Sequence, residues 1–302
     1  MAADYKVEYS LNGPRPGFSA TGGLLVYGGK LYGTTMIGGG CPTCKDGCGT
    51  LFSFDPLTGA EAQLYAFTGG TDGASPNAGL IELGGKLYGT TLRGGSANCH
   101  GGCGTVFSLD PSTGAETVEH AFTLGDDGAF PESGLVQFGT VLYGATLDGG
   151  TASQCEGGCG RAYSLDPVSG VEKVLYDFQG TGDGAYPWSG LTKFGALLYG
   201  TALAAGPLGG GTVFSLDPKT GTDALVYAFK GRRASKDGFS PYGGLLKVGD
   251  LLYGTPASGA DTTTIFAATA AASYFHCSPQ PVRRQSFTPS QAARTVSFQR
   301  LI

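Results

Sequence analysis

Charged residues are scarce in this sequence: Asp, Glu, Lys and Arg make up 14% of the 302 residues, against about a quarter in an average soluble protein. The net charge is −5 and no basic stripe is present, which argues against nucleic acid as a partner. No apolar run reaches the length of about 18 residues that a membrane-spanning helix needs. The stretch Met1–Lys6 lacks the apolar core of a secretory signal, so we expect that this chain has no signal peptide or has lost it.

The familiar catalytic motifs are also missing. The sequence contains no Gly-x-Ser-x-Gly, no His-Glu-x-x-His, no phosphate-binding loop and no dinucleotide fingerprint. Any activity must therefore be inferred from residues that differ between the units of the sequence repeat described below.

Glycine, by contrast, is abundant and accounts for 55 of the 302 residues. Its Gly-Gly, Asp-Gly and Thr-Gly pairs separate short aromatic and aliphatic runs. This arrangement predicts many tight turns between short strands, because glycine-containing pairs are the commonest turn formers.

A long repeat organises these strands. Leu-Tyr-Gly begins at positions 31, 87, 142, 198 and 252, so the steps are 56, 55, 56 and 54 residues. Each unit predicts four strands: one beginning with Gly-Leu, one around Leu-Tyr-Gly, one resembling Gly-Thr-Val-Phe-Ser-Leu-Asp, and one after an Asp-Pro-x-Thr-Gly turn. Four strands joined by short turns form an antiparallel meander, which is the blade of a β-propeller.

The two ends of the repeat region are complementary. Residues 5–11 align with the fourth strand of the other units, and the fifth unit, over residues 244–268, has three strands. The N-terminal strand would therefore complete the last sheet and cover its open edge. We predict an all-β, five-bladed β-propeller over residues 1–270, as a monomer; a capped five-unit solenoid is the alternative.

The repeat pattern stops after Ala268. Residues 271–302 contain Arg283, Arg284, Arg294 and Arg300 and no acidic residue. One interpretation is a poorly ordered basic tail, or a cloning or reading-frame artefact. The other is a segment that docks on the acidic body or on a partner.

The unit Gly-Leu-x4-Gly-x-Leu-Tyr-Gly-Thr-Thr, followed by a glycine-rich loop and Gly-Cys-Gly-Thr-Val-Phe-Ser-Leu-Asp-Pro-x-Thr-Gly, resembles the bacterial tandem-repeat family of choice-of-anchor GloVer repeats. The resemblance covers about residues 5–268. It implies a surface or secreted protein and specifies no activity.

Cysteine pairs mark the loop between the second and third strands of three units. The pairs are Cys44 with Cys48, Cys99 with Cys103, and Cys155 with Cys159. We expect short disulfides and hence an extracellular or periplasmic location. Free thiols and zinc are the alternatives, since Cys41 and His100 would each add a ligand to one loop. The fourth unit has no cysteine there, so the blade does not require one.

Strand alternation predicts where ligands bind. In a propeller whose first strands are innermost, the loop into the first strand and the loop after the second strand emerge on one face, at the channel mouth. These loops are longer than the turns opposite, and binding residues concentrate on such loops.

Four aspartates recur in the turn before the first strand: Asp72, Asp127, Asp183 and Asp237. In one interpretation each carboxylate caps backbone N–H groups of its turn. In the other they form a ring of oxygen ligands for Ca²⁺, joined by Asn77 and Glu132.

The most informative positions are those that break the symmetry. Just before the first strand the equivalent residues are Thr21, Asn77, Glu132, Trp188 and Tyr242. This set would place a polar, cation-binding side next to an aromatic wall; surface drift is the alternative. We take Glu132, Asn77 and His100 as catalytic candidates. Trp188, Tyr242, Arg93 and Asp148 are the substrate-binding candidates.

Two further positions are interpreted by comparison between units. Arg93 and Asp148 are taken as equivalent to each other and to Met36, Leu203 and Pro256. His120 replaces the tyrosine of the fourth strand and is interpreted as a packing substitution.

These features favour a calcium-dependent hydrolase for a small lactone or ester, similar in principle to gluconolactonase and paraoxonase propellers. In such a site the cation polarises the carbonyl and stabilises the oxyanion. A lectin-like propeller that binds carbohydrate and a non-catalytic structural or adhesion module are the alternatives. The expected ligand is a small molecule or a carbohydrate.

Overall fold

A computed structural model describes residues 17–231, 237–260 and 266–269. Twenty-one β-strands and no helix occur in these residues. The predicted N-terminal strand at residues 5–11 and the tail at 271–302 lie outside the described residues. No helix capable of crossing a bilayer occurs in the part of the chain that the structure describes.

Four units each form a four-stranded antiparallel sheet. The first sheet contains β1 (Leu25–Tyr27), β2 (Lys30–Thr35), β3 (Thr50–Phe54) and β4 (Glu61–Ala66). The second contains β5 (Ile81–Leu83), β6 (Lys86–Thr91), β7 (Thr105–Leu109) and β8 (Glu116–Ala121). The third contains β9 (Val136–Phe138), β10 (Val141–Thr146), β11 (Arg161–Asp166) and β12 (Val171–Asp177). The fourth contains β13 (Thr192–Phe194), β14 (Leu197–Ala202), β15 (Thr212–Leu216) and β16 (Asp223–Ala228).

The fifth unit forms two smaller sheets. A three-stranded sheet has the order β18 (Leu246–Val248), β19 (Leu251–Gly254) and β21 (Phe266–Thr269). A two-stranded sheet pairs β17 (Asp237–Phe239) with β20 (Ser258–Ala260). The predicted all-β fold and its four-stranded antiparallel meanders are therefore confirmed, with six sheets in place of the five expected.

The sixth sheet has a counterpart in every other unit. The other units join their lead-in loop to the end of the second strand by one isolated antiparallel bridge: Phe18 with Ile37, Ala74 with Arg93, Ala129 with Asp148, and Ala185 with Ala204. In the fifth unit the bridge between Phe239 and Ser258 gains a second pair and so becomes a short sheet.

These bridges also correct an alignment between the units. Arg93 and Asp148 are equivalent to Ile37, Ala204 and Ser258, and not to Met36, Leu203 and Pro256. Each residue of the corrected set lies six positions after the leucine of its Leu-Tyr-Gly motif, whereas Met36 and Leu203 lie five positions after it and Pro256 lies four.

The core depends on close approach of the second and third strands. Gly89 lies opposite Phe107, and a Cβ atom on Gly89 would sit 2.5 Å from the ring. This contact explains why glycine follows tyrosine in the repeat motif, because any larger residue would displace the buried aromatic ring.

Aromatic pairs join each sheet to the next. Phe67, which follows β4, packs edge-on against Phe107 of the second sheet, with ring centroids 5.2 Å apart. Phe122 packs in the same way on Tyr163, and Phe178 on Phe214. Such edge-to-face pairs contribute about 0.5–1.5 kcal/mol beyond the apolar area they bury, so the repeat carries its own inter-sheet contact.

Candidate functional site

The lead-in loops share one unusual backbone conformation. Equivalent non-glycine residues have positive φ angles of 53° to 64° in all five units: Ser19, Ser75, Phe130, Tyr186 and Ser240. The symmetry-breaking residues Thr21, Asn77, Glu132, Trp188 and Tyr242 each follow two positions later. These five side chains are therefore placed by the same loop geometry, as the repeat alignment predicted.

The polar members of this set contact one another. The Thr21 hydroxyl donates to the backbone carbonyl oxygen of Asn77 at 3.0 Å. The Asn77 amide Nδ2 donates to Oε2 of Glu132 at 2.7 Å. Burial raises the pKa of Glu132, while the hydrogen bond from Asn77 and the charge of Arg93 partly oppose this rise.

The aromatic members also form a pair. The rings of Trp188 and Tyr242 meet edge-on, with centroids 5.3 Å apart and an interplanar angle of 77°. The set thus divides into a polar group on the first three units and an aromatic group on the last two, which is the division expected from the sequence.

A cavity of about 550 Å³ lies between the third and fourth units, beside Trp188. Its walls are Leu147, Asp148, Glu156, Gly157, Tyr186, Trp188 and Leu203. Two acidic residues, a tyrosine, a tryptophan and two leucines therefore line one depression that is open to solvent.

The electrostatics of this cavity favour proton transfer near neutral pH. Burial raises the pKa of Asp148 to about 6. Burial, followed by the negative charges of Asp148 and Glu156, raises the pKa of Tyr186, so its hydroxyl remains protonated. A carboxyl group whose pKa lies close to the working pH is suited to act as a general acid or base.

Tyr186 and Glu156 were not predicted from the sequence. A signal existed for Tyr186, because its position holds serine in three units and phenylalanine in the other. Glu156 lies inside a cysteine loop whose conformation the sequence does not specify, and only the folded loop brings it to the cavity.

The other two predicted residues of this face lie around the neighbouring loop. Nη1 of Arg93 donates to the backbone carbonyl of His100 at 3.0 Å. The contact uses the backbone of His100, whose side chain is exposed. The catalytic role of His100 stays a prediction, whereas Arg93 acts on Glu132 through its charge.

The recurrent aspartates are engaged in their own turns. Asp72 accepts hydrogen bonds from the Tyr65 hydroxyl at 3.0 Å and from the Thr68 backbone N–H at 2.8 Å. Asp183 accepts equivalent bonds from Tyr176 and from the backbone of Gln179. These contacts favour the turn-capping interpretation over a ring of metal ligands.

Asp127 repeats this arrangement with His120 and the backbone of Thr123. The side chain of Asp237 lies outside what the structure describes. Asn77 and Glu132 remain as oxygen donors for calcium, whereas calcium takes six to eight oxygens. This donor set does not fit a calcium site formed by the protein, and calcium dependence stays a prediction.

The predicted cysteine pairs are disulfides. Cys44–Cys48, Cys99–Cys103 and Cys155–Cys159 have Cα atoms 5.0 to 5.4 Å apart. Three disulfides indicate an oxidising, extracellular environment. Among the described residues, Cys41 is a free cysteine.

Residues 1–157 match the Gloeobacter/Verrucomicrobia repeat, which covers just over half of the 302 residues. The chain belongs to this repeat family. No curated protein matches the sequence of this Gloeobacter/Verrucomicrobia repeat protein.

Two solved structures share its architecture. One is the nidogen/laminin complex, with 12% identity, a TM-score of 0.50, and coverage of 86% of this chain and 76% of that chain. The other, from Bacteroides fragilis NCTC 9343, is classed provisionally as a 6-phosphogluconolactonase. It has 16% identity and a TM-score of 0.50, with 82% of this chain and 66% of that chain covered. At these identities the likeness shows a propeller-like fold alone.

Proposed function

We propose that this protein is a hydrolase for a small lactone or ester and that the reaction takes place in the cavity beside Trp188. The observation that carries the proposal is Asp148. Its carboxyl group lines a cavity of suitable size for a small molecule, and burial raises its pKa to about 6. The equivalent residues of the other units, Ile37, Arg93, Ala204 and Ser258, carry no carboxyl group, so this chemistry belongs to one unit.

Each lining group has a role in this proposal. The Asp148 carboxylate takes a proton from the attacking water. The Tyr186 hydroxyl, held protonated by its raised pKa, donates to the carbonyl oxygen as negative charge develops there. Leu147, Leu203 and the Trp188 ring hold the apolar part of the substrate.

Asn77 and Glu132 form a polar pair on the loops that lead into the second and third units. We propose that it binds polar groups of the substrate, because the pair is held by a 2.7 Å hydrogen bond and lies beside the charge of Arg93. Any calcium held there would need further oxygens from substrate or water.

The site also needs its two sides to face a common channel. We propose that the five units over residues 1–270 form a closed five-bladed propeller. Contacts between the first strands of several neighbouring units, β1 with β5, β9 with β13 and β13 with β18, support a ring of inner strands. Deleting residues 1–12 tests closure: a large loss of thermal stability supports the ring, and unchanged stability supports the solenoid.

The activity test is hydrolysis of a panel of small lactones and esters by the wild type, Asp148→Asn and Asp217→Asn. Asp217 is the matched control, because it caps an exposed turn by accepting the Lys219 N–H. We expect turnover that Asp148→Asn reduces at least a hundredfold, as general base catalysis contributes about 10²–10⁴-fold. Equal turnover by wild type and Asp148→Asn would overturn the proposal.

Parallel assays with added calcium and with excess EDTA test the cation separately. Activity that EDTA abolishes and calcium restores would support the calcium prediction and make Glu132→Gln the next variant. Activity unchanged by EDTA would leave Asp148 as the base without a calcium requirement.

Carbohydrate binding without catalysis is a second candidate, and the edge-on pair of Trp188 and Tyr242 favours it. Exposed aromatic rings stack on sugars, and neighbouring carboxylates accept hydrogen bonds from their hydroxyl groups. A glycan screen that gives binding lost in Trp188→Ala and retained in Asp148→Asn, with no hydrolysis, would favour this function over the hydrolase.

A further inference from the structure

The first cysteine loop contains one more sulfur atom than the others. The Sγ atoms of Cys41, Cys44 and Cys48 all lie within 4.8 Å of one another, although only Cys44 and Cys48 are bonded. In the second loop the residue equivalent to Cys41 is Ser96. A free thiol therefore lies beside a disulfide in the first loop. The other two loops have disulfides with the same cysteine spacing and serve as a comparison.

The surrounding contacts hold the thiol near the disulfide. Sγ of Cys41 donates to the carbonyl oxygen of Thr68 at 2.7 Å and lies 2.8 Å from Oγ1 of Thr43. The same Thr43 hydroxyl lies 3.3 Å from Sγ of Cys48. Gly69 packs on the disulfide so closely that a Cβ atom there would approach Sγ of Cys48 to 2.6 Å.

We propose that Cys41, Cys44 and Cys48 form a thiol–disulfide exchange site. The Cys41 thiol loses its proton to solvent, and the thiolate attacks Sγ of Cys48. The Cys41–Cys48 bond forms and the Cys44–Cys48 bond breaks. The electron pair leaves on Sγ of Cys44, which takes up a proton, so no external oxidant or reductant is consumed.

Burial selects the sulfur that is attacked. Cys48 is 0% exposed, whereas Cys41 and Cys44 are partly exposed. Attack on Cys44 would release a thiolate into the protein interior, which is costly without a partner charge. Attack on Cys48 releases it at the partly exposed Cys44, where water solvates it. The loop thus presents a free thiol at either of two surface positions to low-molecular-weight disulfides.

The test uses the full-length protein carrying Cys277→Ser, which removes the other cysteine outside the three pairs. The protein is held at mildly alkaline pH without oxygen and then treated with N-ethylmaleimide under acidic conditions. Its tryptic peptides are mapped without reduction. Cleavage after Lys45 separates Cys48 from the other two cysteines. We expect maleimide on both Cys41 and Cys44, a Cys41–Cys48 crosslink, and unlabelled pairs in the other two loops.

Label on Cys41 alone, with Cys44–Cys48 intact, would overturn the proposal. A second variant provides a check that does not depend on the position of this equilibrium. In Cys44→Ser we expect a Cys41–Cys48 disulfide after mild oxidation. In the matched control Cys99→Ser we expect Cys103 to stay a free thiol, because no third cysteine among the described residues groups with this pair. Free thiols at both Cys41 and Cys48 in Cys44→Ser would equally refute the exchange site.

Discussion

Nε2 of His120 lies 3.1 Å from Oδ2 of Asp127, in the position where other units place a tyrosine hydroxyl on an aspartate. Tyr65 with Asp72 and Tyr176 with Asp183 are the equivalent pairs. His120 also packs edge-on against Phe122, as Tyr65 does against Phe67. The histidine therefore fits the packing interpretation made from the sequence.

The aspartate of each pair helps to raise the pKa of an acidic residue at the start of a fourth strand, in the unit after the one whose fourth strand holds the tyrosine or histidine. Burial, then the charge of Asp72, raises the pKa of Glu116 to about 7. Burial, then Asp127, raises that of Glu172 to about 7. Asp223 follows the same pattern beside Asp183, with a pKa of about 6.

Stability should fall as pH rises through the range set by these acids. Their pKa values are raised by folding, so the native state binds more protons than the unfolded state between the ordinary pKa values and about 7. The resulting stabilisation is complete below the ordinary carboxyl pKa and is lost as pH approaches 7. Denaturant unfolding at several pH values measures it.

Glu172→Gln, which mimics the protonated acid, should flatten this pH dependence. After discounting for solvent screening we expect about 1 kcal/mol of added stability at pH above 7. Asp250→Asn is the control, because Asp250 is exposed. A pH profile for Glu172→Gln that is identical to that of the wild type would contradict the assignment.

Tyr163→Phe should stabilise the protein. The Tyr163 hydroxyl is buried and has no hydrogen-bond partner among the described residues. The residues equivalent to Tyr163 in the neighbouring units are phenylalanines, Phe107 and Phe214. Removing an unpaired buried hydroxyl should raise the free energy of unfolding by about 1 kcal/mol. Tyr65→Phe, which loses the bond to Asp72, should change stability in the opposite direction; two losses of similar size would count against this account.

Removing one loop disulfide should weaken the protein without unfolding it. Cys99 and Cys103 are four residues apart, and so short a loop contributes about 2 kcal/mol by the chain-entropy relation. Thermal unfolding of the Cys99→Ala/Cys103→Ala variant measures the loss. Because the fourth unit folds without a disulfide, we do not expect the variant to lose its whole structure.

If the hydrolase proposal holds, the pH dependence of kcat/KM should report Asp148. The rate should rise with pH through about 6, because the deprotonated carboxylate is the base. Glu156→Gln removes one of two negative charges near Tyr186 and should leave this rise in place. A profile that falls with pH in the same range would indicate an acid role instead.

Truncation after residue 270 should leave the stability unchanged, since the repeat pattern of the sequence stops after Ala268. Thermal unfolding and hydrolysis assays on the truncated and full-length chains test this. A clear loss of either would mean that residues 271–302 dock on the body or on the site, which is the alternative raised by their basic composition.

The sequence by itself determined the repeat, the order of the four strands in each of the first four units and the disulfide pairing. These features are local: a glycine opposite a phenylalanine, a turn of Asp-Pro-x-Thr-Gly, and two cysteines four residues apart each depend on neighbours within one unit. The sequence also singled out Asn77, Glu132, Trp188 and Tyr242, because equivalent positions that differ in chemistry stand out against an otherwise regular repeat; their roles stay predictions.

Only the tertiary structure decided which of these residues lie together. Asp148 and Trp188 line one cavity because the loop after β10 packs against the lead-in of the next unit, 40 residues later in the chain. Glu116, which raises the pKa of Tyr65, likewise lies in the following unit. Contacts between units depend on how neighbouring sheets pack, and the pattern of residues within a unit does not specify them.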